Sequence, residues 1–434
     1  MTTSAPDDQI YLNHLARTSE IEEVRAHEDI RTVSGVKLVN KGERVDASVI
    51  DRIVRHKLLK PVDLSISFAD AVTPGVLLED ARRRLDEATA VSAVVRGLIR
   101  RPDLPECIGR LSLEPMVVNK LTVMRNRLPD LYSHSLLSSC AATALGALCG
   151  ASDRELYALA GIGVLHDLGE LHLDVSLLQS DMRFDPNQWR AMLSHPIVAF
   201  LILKQWPKYY GDMATAVLEY HERLYGSGYP RKLKGAAISK LGRITAVTEV
   251  VLGILQKHSA HHLAVVMKVK DGKLDDSIVQ ALSKALPSSA LRNLPATATG
   301  RRCELESLCS VLSRLLSDWK AVGQDFTASA PSGRCEILAA VMTEVDMLLR
   351  RTGYSEDYRN WLTIIETDEE STNEVLSVFY EAFYSIRQAL QDATLKSDDS
   401  PQRRLQLDQV ARWLELADGS LSAAGAVADG AADP

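Results

Sequence analysis

The chain has no basic excess. Its formal net charge is −7, so the positive footprint that nucleic-acid binding needs is missing, and neither DNA nor RNA is expected as a partner. No apolar run approaches the length that spans a bilayer, and no membrane partner is expected. The opening MTTSAPDDQ is polar and lacks the apolar core of a signal peptide, which points to a cytoplasmic location. Six cysteines (Cys107, Cys140, Cys149, Cys303, Cys309, Cys335) include no CxxC pair. Their spacing resembles neither a zinc knuckle nor a disulfide framework. Cys140 and Cys149 sit in an Ala/Leu-rich stretch and read as small core residues. Aromatic residues are sparse. What is present is an ordinary apolar content spread over 434 residues, enough for two or three domains with sizeable cores. Histidine alone is unevenly spread: of eleven, eight fall between His134 and His262.

In chain order, residues 1–20 read as a loose polar start and 21–74 as a small α+β module. Within it, GVKLVNKGERVD (Gly35–Asp46) predicts a hairpin around Asn40-Lys41-Gly42. DASVIDRIVRHKLLKP predicts a helix with Val49, Ile53 and Leu58 on one side. The stretch 75–127 has helical spacing under dense charge and reads as a connector or a dimerising helix. Residues 128–290 predict five helices. The first, Pro129–Gly150, holds His134. The second opens on Ser152 with Glu155 three residues on, a capping box, and delivers His166 and Asp167. The third starts near Pro186 and must kink or restart at His195-Pro196. The fourth ends at His221-Glu222, and the fifth contains Glu249. RNLPATATG (292–300) reads as a linker, 301–418 as a helical C-terminal domain without histidine, and 419–434 as a disordered tail. The expected class is mainly α: a helical bundle with a small N-terminal α+β module and a helical C-terminal region.

Each central helix offers a nitrogen or carboxylate donor and no sulfur: His134, His166, Asp167, His195, His221 and Glu249. That set suits iron, manganese or zinc, and a carboxylate-rich histidine site often holds two ions. An adjacent His-Asp pair aims a nitrogen and a carboxylate at one point, and the second oxygen of Asp167 can face a second ion. Bundles build such sites from side chains facing inward on several helices. Two ions would lower the pKa of a water and neutralise a phosphodiester oxygen.

The region from about Pro129 to Leu286 resembles the HD-GYP domain, a branch of the HD-type metal-dependent phosphohydrolases. Gly228-Tyr229-Pro230 is the motif loop itself. HDLGE stands at the HDIGK position, SHPIVAFLIL resembles the helix around the family's next histidine, YHE fills the HHE position, and GRITAVTE resembles the RI-x-x-V-x-D helix. The resemblance implies a helical fold with a bi- or trinuclear centre, often iron or manganese. It also implies hydrolysis of cyclic di-GMP to pGpG or GMP in bacterial signalling. It makes His134, His166 and Asp167 metal ligands, with Asp167 the bridging, catalytic carboxylate, and His195 and His221 ligands of the second metal. Asp130 lies where some members place an extra carboxylate for a third metal.

The departures are specific. Glu170 replaces the lysine that helps bind substrate phosphate, a reversal of charge. Tyr220 replaces the first histidine of HHE, and a phenol ligates only after losing a proton of ordinary pKa about 10. Glu249 replaces the late Asp, one methylene longer. Tyr225 replaces the Asp of DGxGYP. In place of the family's basic loop, only Lys257, His258, His261 and His262 offer positive charge. Two readings follow: an active cyclic di-GMP phosphodiesterase, or a degenerate member that binds metal, nucleotide or a protein partner without efficient hydrolysis. A changed substrate is a third. The flanking regions read as interaction or sensory modules.

Overall fold

The computed structural model describes residues 9–178, 186–209, 211–257, 263, 273–286, 298–328, 335–351, 378–380, 382–383, 385–387, 389–390, 393 and 401–429. Two compact units divide the chain, one of Met1–Gln256 with Gly272–Pro287, the other of Lys257–Asp271 with Ser288–Pro434. Both are built on helices, and the class is mainly α as expected.

The first unit opens with α1 (Gln9–Ser19), β1 (Val24–Ala26), β2 (Ile30–Arg31), β3 (Lys37–Val39), α2 (Ala47–Val54) and β4 (Ile66–Phe68). The loose polar start is corrected here. Tyr11, Leu12 and Leu15 recur at helical spacing, and α1 buries all three. The predicted hairpin is also corrected. Gly42 makes the expected turn with a positive φ, but β3 pairs back to β2, and β1 pairs antiparallel with β4. The strip after the turn pairs with β1 around the bridge Arg25–Arg44, with Ala26 N–H donating to the Glu43 carbonyl and Val45 N–H to the Val24 carbonyl. Non-local pairing with β2 and β1 has overridden the local hairpin signal. α2 forms as read: the Asp46 carboxylate caps it by accepting from the Val49 N–H at 3.0 Å.

The stretch expected to connect is instead core. It folds into α3 (Pro74–Asp86), α4 (Ala90–Leu98), α5 (Glu106–Gly109) and α6 (Pro115–Arg127). Thr89 breaks the long charged run in two by capping α4, accepting from the Ser92 N–H at 3.0 Å. α3, α4 and α6 all pack on α7 (Pro129–Leu148). Leu77, Val95, Leu98 and Leu121 are buried, which a free connector would leave exposed.

α7 packs along α8 (Asp153–Leu165), which opens on the expected capping box between Ser152 and Glu155. A 3-10 turn, Leu168–His172, follows, then α9 (Val175–Leu178), α10 (Pro186–Met192) and α11 (His195–Leu203). The chain restarts at His195 with Pro196 in the first turn, where a missing N–H costs nothing. α12 (Asp212–Glu219) ends before His221-Glu222, α13 (Lys240–Lys257) carries Glu249, and α14 (Asp276–Ala285) closes the unit.

The second unit contains α15 (Ala298–Ala328), α16 (Cys335–Arg351) and α17 (Pro401–Asp429) around a core that includes Leu308, Leu312, Leu338, Met342, Ile386 and Trp413. The expected linker at 292–300 gives its last residues to α15, and 292–297 lie outside the described residues. The disordered tail expected at 419–434 is corrected as far as Asp429. Its alanines have high helix propensity and continue α17. Among the described residues no helix is long and apolar enough to cross a membrane.

Candidate metal centre

Asp167 stands where the end of α8 turns into the 3-10 segment, and each of its carboxylate oxygens faces a different group. Oδ2 lies 2.9 Å from His166 Nε2 and 3.6 Å from His134 Nε2. Glu249 Oε2 comes in from α13, 3.1 Å from His134 Nε2 and 3.5 Å from His166 Nε2. On the other side, Oδ1 accepts a 2.7 Å hydrogen bond from the Tyr220 hydroxyl. That hydroxyl lies 2.6 Å from His195 Nε2, and His195 Nε2 lies 3.1 Å from His221 Nε2. The sequence-predicted residues from α7, α8, α11, α13 and the end of α12 therefore meet around one carboxylate.

Backbone contacts set these orientations. His166 Nδ1 lies 2.9 Å from the Gly163 carbonyl and His195 Nδ1 lies 2.6 Å from the Met192 carbonyl. A carbonyl only accepts, so each Nδ1 carries a hydrogen, and Nε2 is the nitrogen that faces Asp167 and offers a lone pair to a cation once it carries no proton. Gly169 lets the 3-10 turn lie against the start of α11; a Cβ there would run into the His195 carbonyl oxygen. Gly228 does the same for the motif loop, which lies on the backbone of His221 and Glu222. Tyr229 stacks on His221 with ring centroids 4.5 Å apart. The buried Glu222 carboxylate accepts the backbone N–H groups of Arg231 at 2.7 Å and Leu233 at 2.9 Å, which ties the loop down.

The electrostatics split the two sides. Burial opposes charge on His134, but the Glu249 and Asp167 carboxylates outweigh it and hold its pKa above the ordinary value. His166 is raised well above for the same reason, Asp167 contributing first. On the other side burial dominates, and the pKa of His195 and, more strongly, of His221 is lowered. Burial would raise Asp167 and Glu249, but the neighbouring imidazoles pull both carboxyls down.

These residues fit a divalent cation. His166 Nε2 is buried and makes no hydrogen bond, although two carboxylate oxygens lie within 3.5 Å of it. A nitrogen between two carboxylates needs a positive charge beside it, a proton in the metal-free protein or a cation in its place. The four N···O separations of 2.9–3.6 Å bracket those of neighbouring ligands around an ion bound at about 2.1 Å, namely about 3.0 Å in an octahedron and about 3.4 Å in a tetrahedron. His134, His166 and Asp167 offer donor atoms all within 4.8 Å of one another, and so do Asp167, Glu170 and His195.

The second group contains a residue that sequence reasoning placed differently. Glu170 reads in the sequence as a charge reversal of the family's phosphate-binding lysine; in the structure its carboxylate lies with donor atoms of Asp167 and His195. The signal was the turn type: in a 3-10 segment residues i and i+3 share a side, and 167 and 170 are so spaced. Tyr220, expected as a missing ligand, is a fully buried hydrogen-bond bridge. Glu222 was passed over as part of a motif string. Asp130 is exposed and belongs to neither donor group. Tyr225 is 62% exposed and points its ring to solvent rather than to the centre. His258, His261 and His262, and the side chain of Lys257, lie outside what the structure describes.

Residues 116–259 match the sequence profile of the HD domain. The chain is similar to the 3'3'-cGAMP-specific phosphodiesterase 2 of Vibrio cholerae, 26% identical over 151 residues, 35% of this chain and 29% of that protein. It is 30% identical over 107 residues to the cyclic di-GMP phosphodiesterase response regulator RpfG of Xanthomonas campestris, 24% of this chain and 28% of that protein. It is 33% identical over 86 residues to a cyclic di-GMP phosphodiesterase of Thermotoga maritima, 20% of this chain and 23% of that protein. The match spans less than a third of the length of each relative.

Proposed function

We propose that the HD domain of this chain is a metal-dependent phosphodiesterase that opens a cyclic dinucleotide, cyclic di-GMP first, to pGpG or GMP in cytoplasmic bacterial signalling. The observation that carries this reading is Asp167, whose two oxygens face two separate donor groups. His134, His166, Asp167 and Glu249 would hold one divalent ion; Asp167, His195 and His221 would contribute to a second. Iron or manganese suits the donors best, with zinc also compatible. Such ions supply a water of lowered pKa and neutralise charge on a phosphodiester oxygen.

The protein's own residues do the rest. The carbonyls of Gly163 and Met192 fix the ring orientations of His166 and His195, so neither ring has to turn on binding. The Tyr220 hydroxyl holds Asp167 Oδ1 in place. Tyr229 stiffens His221 from the loop side. The relatives named for cyclic di-GMP and for 3'3'-cGAMP support a cyclic dinucleotide as substrate.

A second reading, an HD domain that binds metal or nucleotide without efficient turnover, is favoured by one observation. The Tyr220 phenol occupies the position between Asp167 and His195 where a second imidazole would have offered a nitrogen. The deciding experiment measures metal content of protein purified without oxygen or chelator and assays cyclic di-GMP and 3'3'-cGAMP hydrolysis on the same sample. Bound metal with a linear product supports the enzyme. Bound metal without product, at substrate concentrations that saturate binding, supports the second reading.

A further inference from the structure

We propose that Glu170 is a ligand of the second cation in this chain, together with Asp167 and His195, and supplies the donor that Tyr220 does not. The inference rests on the reading of the centre as a divalent-cation site. Its new content is that a carboxylate from the 3-10 turn takes the place of an imidazole from the end of α12.

Three observations converge. The first is placement: Asp167, Glu170 and His195 present one donor atom each, all within 4.8 Å of one another. Asp167 and His195 are 4% and 3% exposed, so this is an interior constellation rather than a surface cluster of acids. The second is orientation. The Nδ1–H of His195 is taken by the Met192 carbonyl, which leaves the Nε2 lone pair aimed inward. The third is that Glu170 has no partner of its own. Its backbone N–H is held by the Asp167 carbonyl at 2.9 Å and its carbonyl accepts from Leu173 at 3.0 Å, yet no hydrogen bond or ion pair to its carboxylate occurs among the described residues.

Two carboxylates and an imidazole lone pair thus face one another, and the only hydroxyl beside them belongs to Tyr220. That O–H is already given to Asp167 Oδ1, and His195 Nε2 has His221 Nε2 at 3.1 Å, which leaves the Glu170 carboxyl group without a donor. A cation can compensate it. The fully buried Tyr220 ring is packed between His166 and His221, with centroids 4.9 Å and 4.0 Å away, and has no room to swing aside. Its oxygen stays a hydrogen-bonding neighbour of the site. The swap also changes the metal. Carboxylate oxygen in place of imidazole nitrogen moves the donor set towards harder ions, such as Mn2+, and away from Zn2+. It also removes the apparent clash with a phosphate substrate, because the charge of Glu170 is spent on the ion.

The test uses the full chain with Mn2+ as the probe. Binding to the natural protein, Glu170→Gln and Glu170→Asp is followed by calorimetry and by elemental analysis after gel filtration, and the thermal midpoint is recorded with and without Mn2+. The expected result is two ions on the natural protein. In Glu170→Gln the weaker ion should be lost or weakened by about ten-fold or more while the tighter one is kept, with Glu170→Asp between the two. The metal-free midpoint of Glu170→Gln should not fall, since glutamine keeps the shape of a side chain whose carboxyl group has no hydrogen-bond partner among the described residues. The Mn2+-induced rise should shrink. Two ions bound equally well by Glu170→Gln and the natural protein would overturn the proposal and leave the cation-site reading standing. A single ion on the natural protein overturns it too. No ion on the natural protein overturns the cation-site reading and this proposal with it.

Discussion

Tyr220 shows how much one hydroxyl can hold. It donates to Asp167 Oδ1 and lies 2.6 Å from His195 Nε2, with no exposure to solvent. Tyr220→Phe keeps the ring and its packing but strips a buried carboxylate oxygen of its donor. Leaving such a group unsatisfied costs about 1–3 kcal/mol, so urea unfolding of the metal-free variant should show a loss of that size. An unchanged midpoint would mean that the bridge carries no weight. The histidines make a second prediction. Burial works against charge on His134 and His166, yet Glu249 and Asp167 raise both pKa values. Raised values mean that both rings stay protonated above the ordinary histidine range of about 6.5. In the metal-free protein their contribution to stability is fully present below that range and is lost as pH rises through the folded values. A cation must displace those protons. Mn2+ affinity should therefore climb with pH through and beyond about 6.5 and then level off. Calorimetry in two buffers of different ionisation enthalpy should register proton release. His195 and His221, lowered by burial, are already neutral there and add none. Binding without proton release at pH about 6.5 would contradict this assignment of charge.

The element that matters most is the short 3-10 turn Leu168–His172. At one end Gly169 lies against the His195 backbone. At the other, His172 stacks on Tyr11 of α1 with centroids 5.4 Å apart, and Lys120 Nζ of α6 lies 3.3 Å from its Nε2. Lys120 also lies 3.5 Å over the Tyr11 ring and 3.1 Å from Asp63 Oδ2, both charged groups being 4% exposed. Tyr11 and Asp63 are hydrogen-bonded as well. Removing one partner of a buried pair leaves the other uncompensated, at about 3–5 kcal/mol. Lys120→Ala should lose stability on that scale in urea, and its Mn2+ affinity should fall because the turn that carries Asp167 and Glu170 loosens. Loss of stability with affinity intact would confine Lys120 to a structural role. None of this network was legible in the sequence, because its members are brought together from residues 11, 63, 120 and 172 by tertiary packing alone. What was legible is local or ordered along the chain: the Ser152 capping box, the restart at Pro196, and the HD, YHE and GYP strings with Glu249 downstream. Glu170 and Tyr220 were seen as departures, but their new contacts depend on the turn geometry and on which helix faces which. The strand pairing failed for the same reason: the Gly42 turn is local, whereas the partners of β1 and β3 are not.

At the scale of the whole chain the two flanks part company. The N-terminal stretch, expected to be an interaction or sensory module, shares a core with the segment that matches the HD profile. Asn119 of α6 donates to the backbone carbonyls of Asp63 and Ile66 at 2.8 and 2.9 Å, Thr122 accepts the Val72 N–H at 2.9 Å, and Arg125 reaches Glu22 and Asp70. The C-terminal unit is closed around its own apolar core. Every donor of the candidate metal centre, from His134 to Glu249, lies in the first unit. Opposite outcomes are therefore expected from two truncations. A chain that starts at Pro74 loses Asp63 and Tyr11, leaves Lys120 buried without a carboxylate, and uncovers the apolar side of α6. It should melt well below the full chain and bind Mn2+ weakly or not at all. A chain that ends at Pro287 keeps every proposed donor and the contacts of the 3-10 turn with Tyr11, Lys120 and His195, and its Mn2+ stoichiometry and affinity should equal those of the full chain. Calorimetry on the two fragments decides the matter. If the shorter N-terminus binds Mn2+ as the full chain does, the buried Lys120–Asp63 layer is not what holds the centre. If removal of residues 288–434 abolishes binding, the centre depends on a unit that contributes none of its ligands, and the independence read from the two cores is wrong.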